Sequence, residues 1–101
     1  MTILNNDYPL IHNEEHHHFE MHINGMRPFI EYSRVRTDLI IIAHTEVPVE
    51  LEGRGIGKML VEKTLNYIEM AGWKIIPLCP FTSAYIKRHP EWNRIVHTGI
   101  V

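Results

Sequence analysis

In the stretch Leu51-Glu52-Gly53-Arg54-Gly55-Ile56-Gly57-Lys58, three glycines stand at alternate positions, with one cation between the first two and another after the third. Glycines at this spacing let a backbone turn tightly and approach a ligand with no Cβ in the way. The amides at the start of a following helix then point outward toward an anion. That arrangement suits a pyrophosphate, with Arg54 and Lys58 adding charge; the plainer alternative is a glycine-rich turn that only starts a helix. Spacing removes two familiar loops. A Walker loop needs its first glycine farther from the Gly-Lys pair and Ser or Thr after the lysine, where Met59 stands. A dinucleotide fingerprint needs a glycine where Leu60 stands, and the chain is too short for a doubly wound sheet.

The loop has to be held by the elements around it. Ile56, Leu60, Val61, Leu65 and Ile68 recur at helical spacing and predict a helix over residues 55–70, stopped by Gly72. Residues 73–78 read as a short buried strand and 81–88 as a second helix, closed before Pro90. Upstream, residues 19–23 alternate as a half-buried strand, and Asn24-Gly25 predicts a tight hairpin because both residues tolerate positive φ. Residues 29–35 then pair back, a turn follows near Arg36–Asp38, and residues 39–47 form a central strand ended by Pro48. A helix crossover returns the chain in the same direction, so the strand at 73–78 runs parallel to the one at 39–47. The expected class is α/β (α+β): a three-stranded antiparallel meander, then a β-α-β unit with a parallel strand pair and a second short helix. Residues 1–15 read as an irregular arm and 16–101 as one domain, with 95–101 a candidate edge strand. His16-His17-His18 reads as a solvated strand start, against a weak adventitious metal site.

The chain has 101 residues, 45% apolar and 22% charged, with a formal charge of −2. That length closes one modest core. The charge balance argues against nucleic acid or an anionic membrane as a broad partner, so an anion site must be local. No apolar run approaches the roughly 20 residues a bilayer span needs, and the N-terminus has no basic flank or apolar core of a signal peptide. One cysteine, Cys79, rules out an internal disulfide or a multi-cysteine zinc site and suits a reducing compartment, so a cytoplasmic protein is expected.

Two blocks, His44-Thr-Glu-Val-Pro-Val-Glu-Leu-Glu-Gly-Arg-Gly-Ile-Gly-Lys-Met-Leu-Val61 and Ile75-Ile-Pro-Leu-Cys-Pro-Phe-Thr-Ser-Ala-Tyr-Ile-Lys-Arg-His-Pro-Glu-Trp92, resemble the GCN5-related N-acetyltransferase superfamily. They are most similar to its small, minimal members, and the resemblance runs from about Phe19 to Trp92. It implies that the glycine loop, Gly53 to Lys58 with Arg54, Gly55, Ile56 and Gly57, binds the pyrophosphate of acetyl-coenzyme A. The pantetheine arm would lie between the splayed ends of the two parallel strands, beside Val47, with Cys79 and Phe81 near the thioester. Thr82, Ser83, Tyr85 and Lys87 of the second helix are further candidate contacts. The chain departs from the wider pattern at Glu52, where Gln or Arg is usual, and it lacks the helices that commonly follow the first strand.

Acetyl transfer to an amine needs a base with a pKa near neutrality, donors for the oxyanion and a proton for the leaving thiolate. His44, near the end of the central strand, is the candidate base, against a hydrogen-bonded structural histidine. Cys79, just before the second helix, is a candidate nucleophile that could take the acyl group, against a buried inert thiol. Tyr85 is a candidate proton donor, against a packing aromatic. No metal is expected. The leading function is an acetyl-coenzyme A-dependent N-acetyltransferase acting on an amine that no acidic run or charge pattern identifies. The alternatives are a non-catalytic acyl-coenzyme A-binding or regulatory module, and a scaffold with a vestigial loop.

Overall fold

The computed structural model describes residues 8–99. Five strands form one sheet in the order of the chain: β1 (Ile11–Asn13), β2 (His18–Glu20), β3 (Phe29–Arg36), β4 (Leu39–Glu46) and β5 (Lys74–Pro77). The first four are antiparallel, and β5 joins β4 in parallel, as the helical crossover between them requires. That crossover is α1 (Ile56–Ala71), and α2 (Pro80–Arg88) follows β5. The α/β class, the antiparallel strands followed by a β-α-β unit, and the second helix agree with the reading of the sequence.

Local chemistry accounts for the boundaries. Asn24 and Gly25 both have positive φ, 51° and 78°, and Ile23 and Met26 exchange backbone hydrogen bonds of 2.9 and 2.8 Å across them. The regular part of β2 is shorter than the alternating pattern suggests. Met21 donates to the carbonyl of Pro28, but Pro28 has no N–H to return the bond. α1 buries Ile56, Leu60, Val61, Leu65 and Ile68 as the spacing predicts, together with Thr64. Its end is a Schellman closure on Gly72 (φ 80°), with Trp73 donating to Ile68. Pro80 begins α2 at a position where its missing N–H costs nothing.

Two expectations are corrected. Ile11–Asn13, read as part of an irregular arm, is an edge strand paired with β2, whereas residues 1–7 of that arm lie outside the described ones. His12 anchors this strand: its ring stacks on Phe19 at 4.5 Å and bonds the hydroxyls of Tyr32 (2.6 Å) and Tyr67 (3.0 Å). Burial pushes the His12 pKa down, partly countered by Glu14. The candidate edge strand over 95–101 does not form among the described residues. Residues Pro90–Ile95 coil as a 3-10 helix that buries Trp92 and Ile95, leaving one parallel bridge from Val96 to Ile75.

The sheet has two unlike faces. Phe19, Met21, Ile30, Tyr32, Ile40 and Ile42 are buried under α1. The opposite face carries His18, Glu20, Phe29, Glu31, His44 and Glu46, brought side by side by the register. Between Ile42 and His44 the ladder slips by one residue against β3, which makes Ala43 a bulge. Because of that bulge Ile42 and Thr45, three apart, share the inner face, and His44 and Glu46 share the outer one.

Candidate functional site

The site is built where β4 and β5 part. Their ladder ends at the pair Ile42 and Pro77, after which the amides of Leu78 and Cys79 both donate to the Ile42 carbonyl, at 3.1 and 3.0 Å. The chain thus turns away into α2, and residues 43–46 of β4 continue with no strand on that side. Beyond Pro48, a 3-10 turn over Val49–Leu51 plugs Leu51 into the core and delivers the glycine loop to the start of α1.

This opening is a cavity of about 530 Å3 lined by Thr45, Glu46, Val47, Leu51, Glu52, Gly53, Gly55, Ile56, Gly57, Lys58 and Phe81. Gly53 and Gly55 have φ of 81° and 75°, and a Cβ at either would meet nothing within 4 Å, so the backbone there faces open space. Gly57 is glycine for a different reason: a Cβ would stand 2.7 Å from Cε2 and Cζ of Phe81. The N-terminus of α1 has no side-chain cap and no acidic residue in its first turn. Its leading amides, those of Ile56, Gly57 and Lys58, precede the first intrahelical donor, Met59, which bonds Gly55. An uncapped sixteen-residue helix that starts at a cavity beside Lys58 presents free amides and the positive end of its dipole, chemistry that can hold an anion.

At the other end of the cavity, Thr45 points inward and its Oγ1 lies 3.2 Å from Sγ of Cys79. Cys79 is buried at the N-cap position of α2. Burial pushes its thiol pKa up, but the Thr45 hydroxyl and the amides of Thr82 and Phe81 outweigh it, and the net result is a thiol more acidic than usual. Those amides make no formal cap bond to the sulfur, yet their pull favours a thiolate. The Thr82 hydroxyl, buried and making no full hydrogen bond, adds a weaker pull.

His44 lies on the outer face of β4, where its Nε2 donates to Oε1 of Glu46 at 2.8 Å. The carboxylate fixes the ring and its tautomer, leaving Nδ1 as the acceptor. Through Glu46, which also lines the cavity, His44 is tied to the cavity rim. His44 and Cys79 make no contact with each other, since alternation about Thr45 puts them on opposite sides of β4.

The structure divides the candidate residues. Val47, Gly53, Gly55, Ile56, Gly57, Lys58 and Phe81 line the cavity together, while Arg54 is exposed beside it and is not among the lining residues. Ser83 and Lys87 face elsewhere, lining a separate depression of about 290 Å3 with Pro77, Ile86, Pro90, Asn93 and Val96. Helix geometry explains this: Phe81, Ala84 and Arg88 share one side of α2, and Ser83 and Lys87 share another. Tyr85 is buried outside the cavity, donating its O–H to Oε2 of Glu62 at 2.7 Å. Burial and then the Glu62 carboxylate push its pKa up to about 12, so its proton is firmly held. Sequence reasoning missed Thr45 and Glu46. The signal for Glu46 was its place two residues from His44 on one strand face; nothing in the sequence joined Thr45 to Cys79, 34 positions away.

Residues 18–95 match the family model described as GCN5-related N-acetyl-transferase. Among curated proteins, the chain is 30% identical to Protein NATD1 of Mus musculus over 81 residues, covering 78% of this chain and 74% of that one. It is likewise 30% identical to Protein NATD1 of Gallus gallus over 88 residues, covering 85% and 80%. Among solved structures, the solution structure of a GCN5-like putative N-acetyltransferase from Staphylococcus aureus superposes with a TM-score of 0.66 at 26% identity, covering 94% of this chain and 92% of the other. With the family match spanning the glycine loop, both parallel strands and both helices, the chain belongs to the GCN5-related N-acetyltransferase family.

Proposed function

We propose that this protein transfers an acetyl group from acetyl-coenzyme A to an amine, and that it does so in the cytoplasm. The observation that carries the reading is the continuous cavity from the uncapped N-terminus of α1 to Thr45 at the splayed end of β4. The amides of Ile56, Gly57 and Lys58 and the Lys58 ammonium would hold the pyrophosphate. Arg54 would add charge from outside, and the Glu52 carboxylate on the same rim makes the backbone amides the main donors. Val47 and Phe81 would flank the pantetheine arm.

The chemistry in this reading is assigned to this chain's residues. Cys79, favoured as a thiolate by Thr45 and the start of α2, attacks the thioester carbon; its new C–S bond replaces that of the coenzyme, which leaves as a thiolate and takes a proton from solvent. The amine then attacks the acyl-cysteine carbon and the cysteine thiolate is restored; the proton the amine loses passes by way of solvent at the cavity rim, which Glu46 lines, to Nδ1 of His44 on the other side of β4. Glu46 holds His44 for this step.

A second reading, coenzyme binding without turnover, is favoured by one specific observation: the Tyr85 hydroxyl is bonded to Glu62, away from the cavity where a leaving thiolate would need it. Incubation with acetyl-coenzyme A followed by mass spectrometry under acidic quench separates the two. Acetyl on Cys79, discharged by added amine, supports transfer; tight binding with an unmodified cysteine and no amine acetylation supports the binding module.

A further inference from the structure

The outer face of the sheet holds an arrangement that the coenzyme cavity does not use. By register, His18, Glu31 and His44 lie in one row across β2, β3 and β4, and Glu20, Phe29 and Glu46 lie in the next. Phe29 is central: its ring stacks on His18 at 4.1 Å and meets His44 edge-on at 6.3 Å.

At the β2 end, Glu20 is 3% exposed although it is a carboxylate. Its Oε2 accepts from His22 at 3.1 Å, but its Oε1 and the Nδ1 of His18, 3.7 Å apart, are shut off from solvent with no hydrogen-bond partner among the described residues. The buried carboxylate oxygen is an acceptor left without a donor, and the Nδ1 facing it is a second in the tautomer that carries its proton on Nε2, so the pair calls for a missing donor. The nearest cation, Arg27, stands 3.9 Å from Oε1, beyond a hydrogen bond, and both Arg27 and His22 are more than half exposed and able to swing aside. An ammonium, with three donors, would satisfy both acceptors and have one left. Glu31 and Glu46 extend the negative charge across the face, and Glu31 has no ion pair among the described residues.

The geometry points to an acceptor site for a linear aliphatic polyamine: one ammonium between Glu20 and His18, the methylene stem across Phe29, and the reacting nitrogen at His44 and Glu46. Two inter-strand steps separate the ends, about 10 Å, a span that a triamine such as spermidine covers and a short monoamine does not. Binding at the β2 end stands on the orphaned acceptors alone; the direction of transfer rests on the proposed function.

The test is a titration of the 15N-labelled protein with spermidine, and separately with butylamine, followed by NMR. Spermidine is expected to give saturable shifts at the amides of residues 18, 20, 29, 31, 44 and 46, and butylamine to bind at least about tenfold more weakly, having one charge-assisted anchor fewer. Glu20→Gln is expected to weaken spermidine about tenfold for the same reason, and Arg27→Ala, which removes the resident cation, to tighten it several-fold. Equal affinities for the two amines, shifts spread over every acidic patch, or a folded Glu20→Gln protein that binds as before would overturn the inference. If Glu20→Gln does not fold, failure of Arg27→Ala to tighten binding overturns it instead. A parallel acetyl-coenzyme A titration keeps the two readings apart. Coenzyme binding with no spermidine response sinks this site and leaves the acetyltransferase, while the reverse keeps the polyamine site and sinks the enzyme.

Discussion

Replacing Gly57 with alanine tests how closely the cavity is fitted. The new methyl would stand 2.7 Å from two ring carbons of Phe81 and 3.6 Å from Cγ2 of Val47. Ordinary carbon contacts lie near 3.5–4 Å, so the Phe81 ring has to give way by about 1 Å. Overpacking of this kind costs about 1–3 kcal/mol. Against it stands the gain from alanine over glycine in a helix, about 1 kcal/mol, so the single variant should be destabilised by roughly 0–2 kcal/mol. In a Phe81→Ala background the obstacle is gone and only the helical gain remains, so there Gly57→Ala should stabilise by up to about 1 kcal/mol. The sign should therefore reverse between backgrounds, with a coupling of about 1–3 kcal/mol in a four-protein cycle measured by urea unfolding. Gly57→Ala alone should also weaken acetyl-coenzyme A about tenfold, because the displaced ring enters the lined space. Additive effects within about 0.5 kcal/mol would refute the close approach of Phe81 to α1.

Further outcomes follow from individual contacts. Tyr85→Phe removes a donor to the Glu62 carboxylate and should cost about 1–2 kcal/mol with coenzyme affinity unchanged, measured by unfolding and calorimetry. Because the folded pKa of Tyr85 is raised from 10.0 to about 12, the unfolded chain loses that proton first. The contribution of Tyr85 is then complete below pH 10.0 and should disappear as the pH climbs through about 12, in wild type and not in Tyr85→Phe. His12 has the opposite sense: its folded pKa lies below 6.5, so the unfolded state binds the extra proton and stability should fall as the pH drops below 6.5. His12→Gln should flatten that dependence. Thr45→Val removes the hydroxyl at 3.2 Å from Cys79 and should raise the thiol pKa, read from the ultraviolet absorbance of the thiolate as pH is raised; an unmoved titration would discount Thr45.

What could be read from the sequence was what repeats or punctuates. Asn24-Gly25, the apolar stripe of α1 and the stop at Gly72 are local signals whose physics is complete within a few residues, and each sits where it was expected. The glycine loop was legible because Gly53 and Gly55 carry positive φ and Gly57 a close contact, demands only glycine meets. β1 was not legible: three residues without alternation, held by His12 through partners 20 and 55 positions away. The relation of Thr45 to Cys79 was hidden likewise, since it depends on the bulge at Ala43 and on two amides converging on Ile42 after Pro77. The second helix was placed correctly, but its rotation was not, and rotation decides that Phe81 faces the cavity while Ser83 and Lys87 do not.

In the proposed function, the loop from Gly53 to Lys58 and the splayed strands hold the coenzyme. Calorimetric titration of acetyl-coenzyme A, with ATP and NAD as controls, tests it most directly. Saturable one-to-one binding selective for acetyl-coenzyme A, and weakened by Lys58→Ala, is the expected result. No heat of binding, or equal binding of all three nucleotides, would contradict it and leave the uncapped end of α1 as a helix start alone.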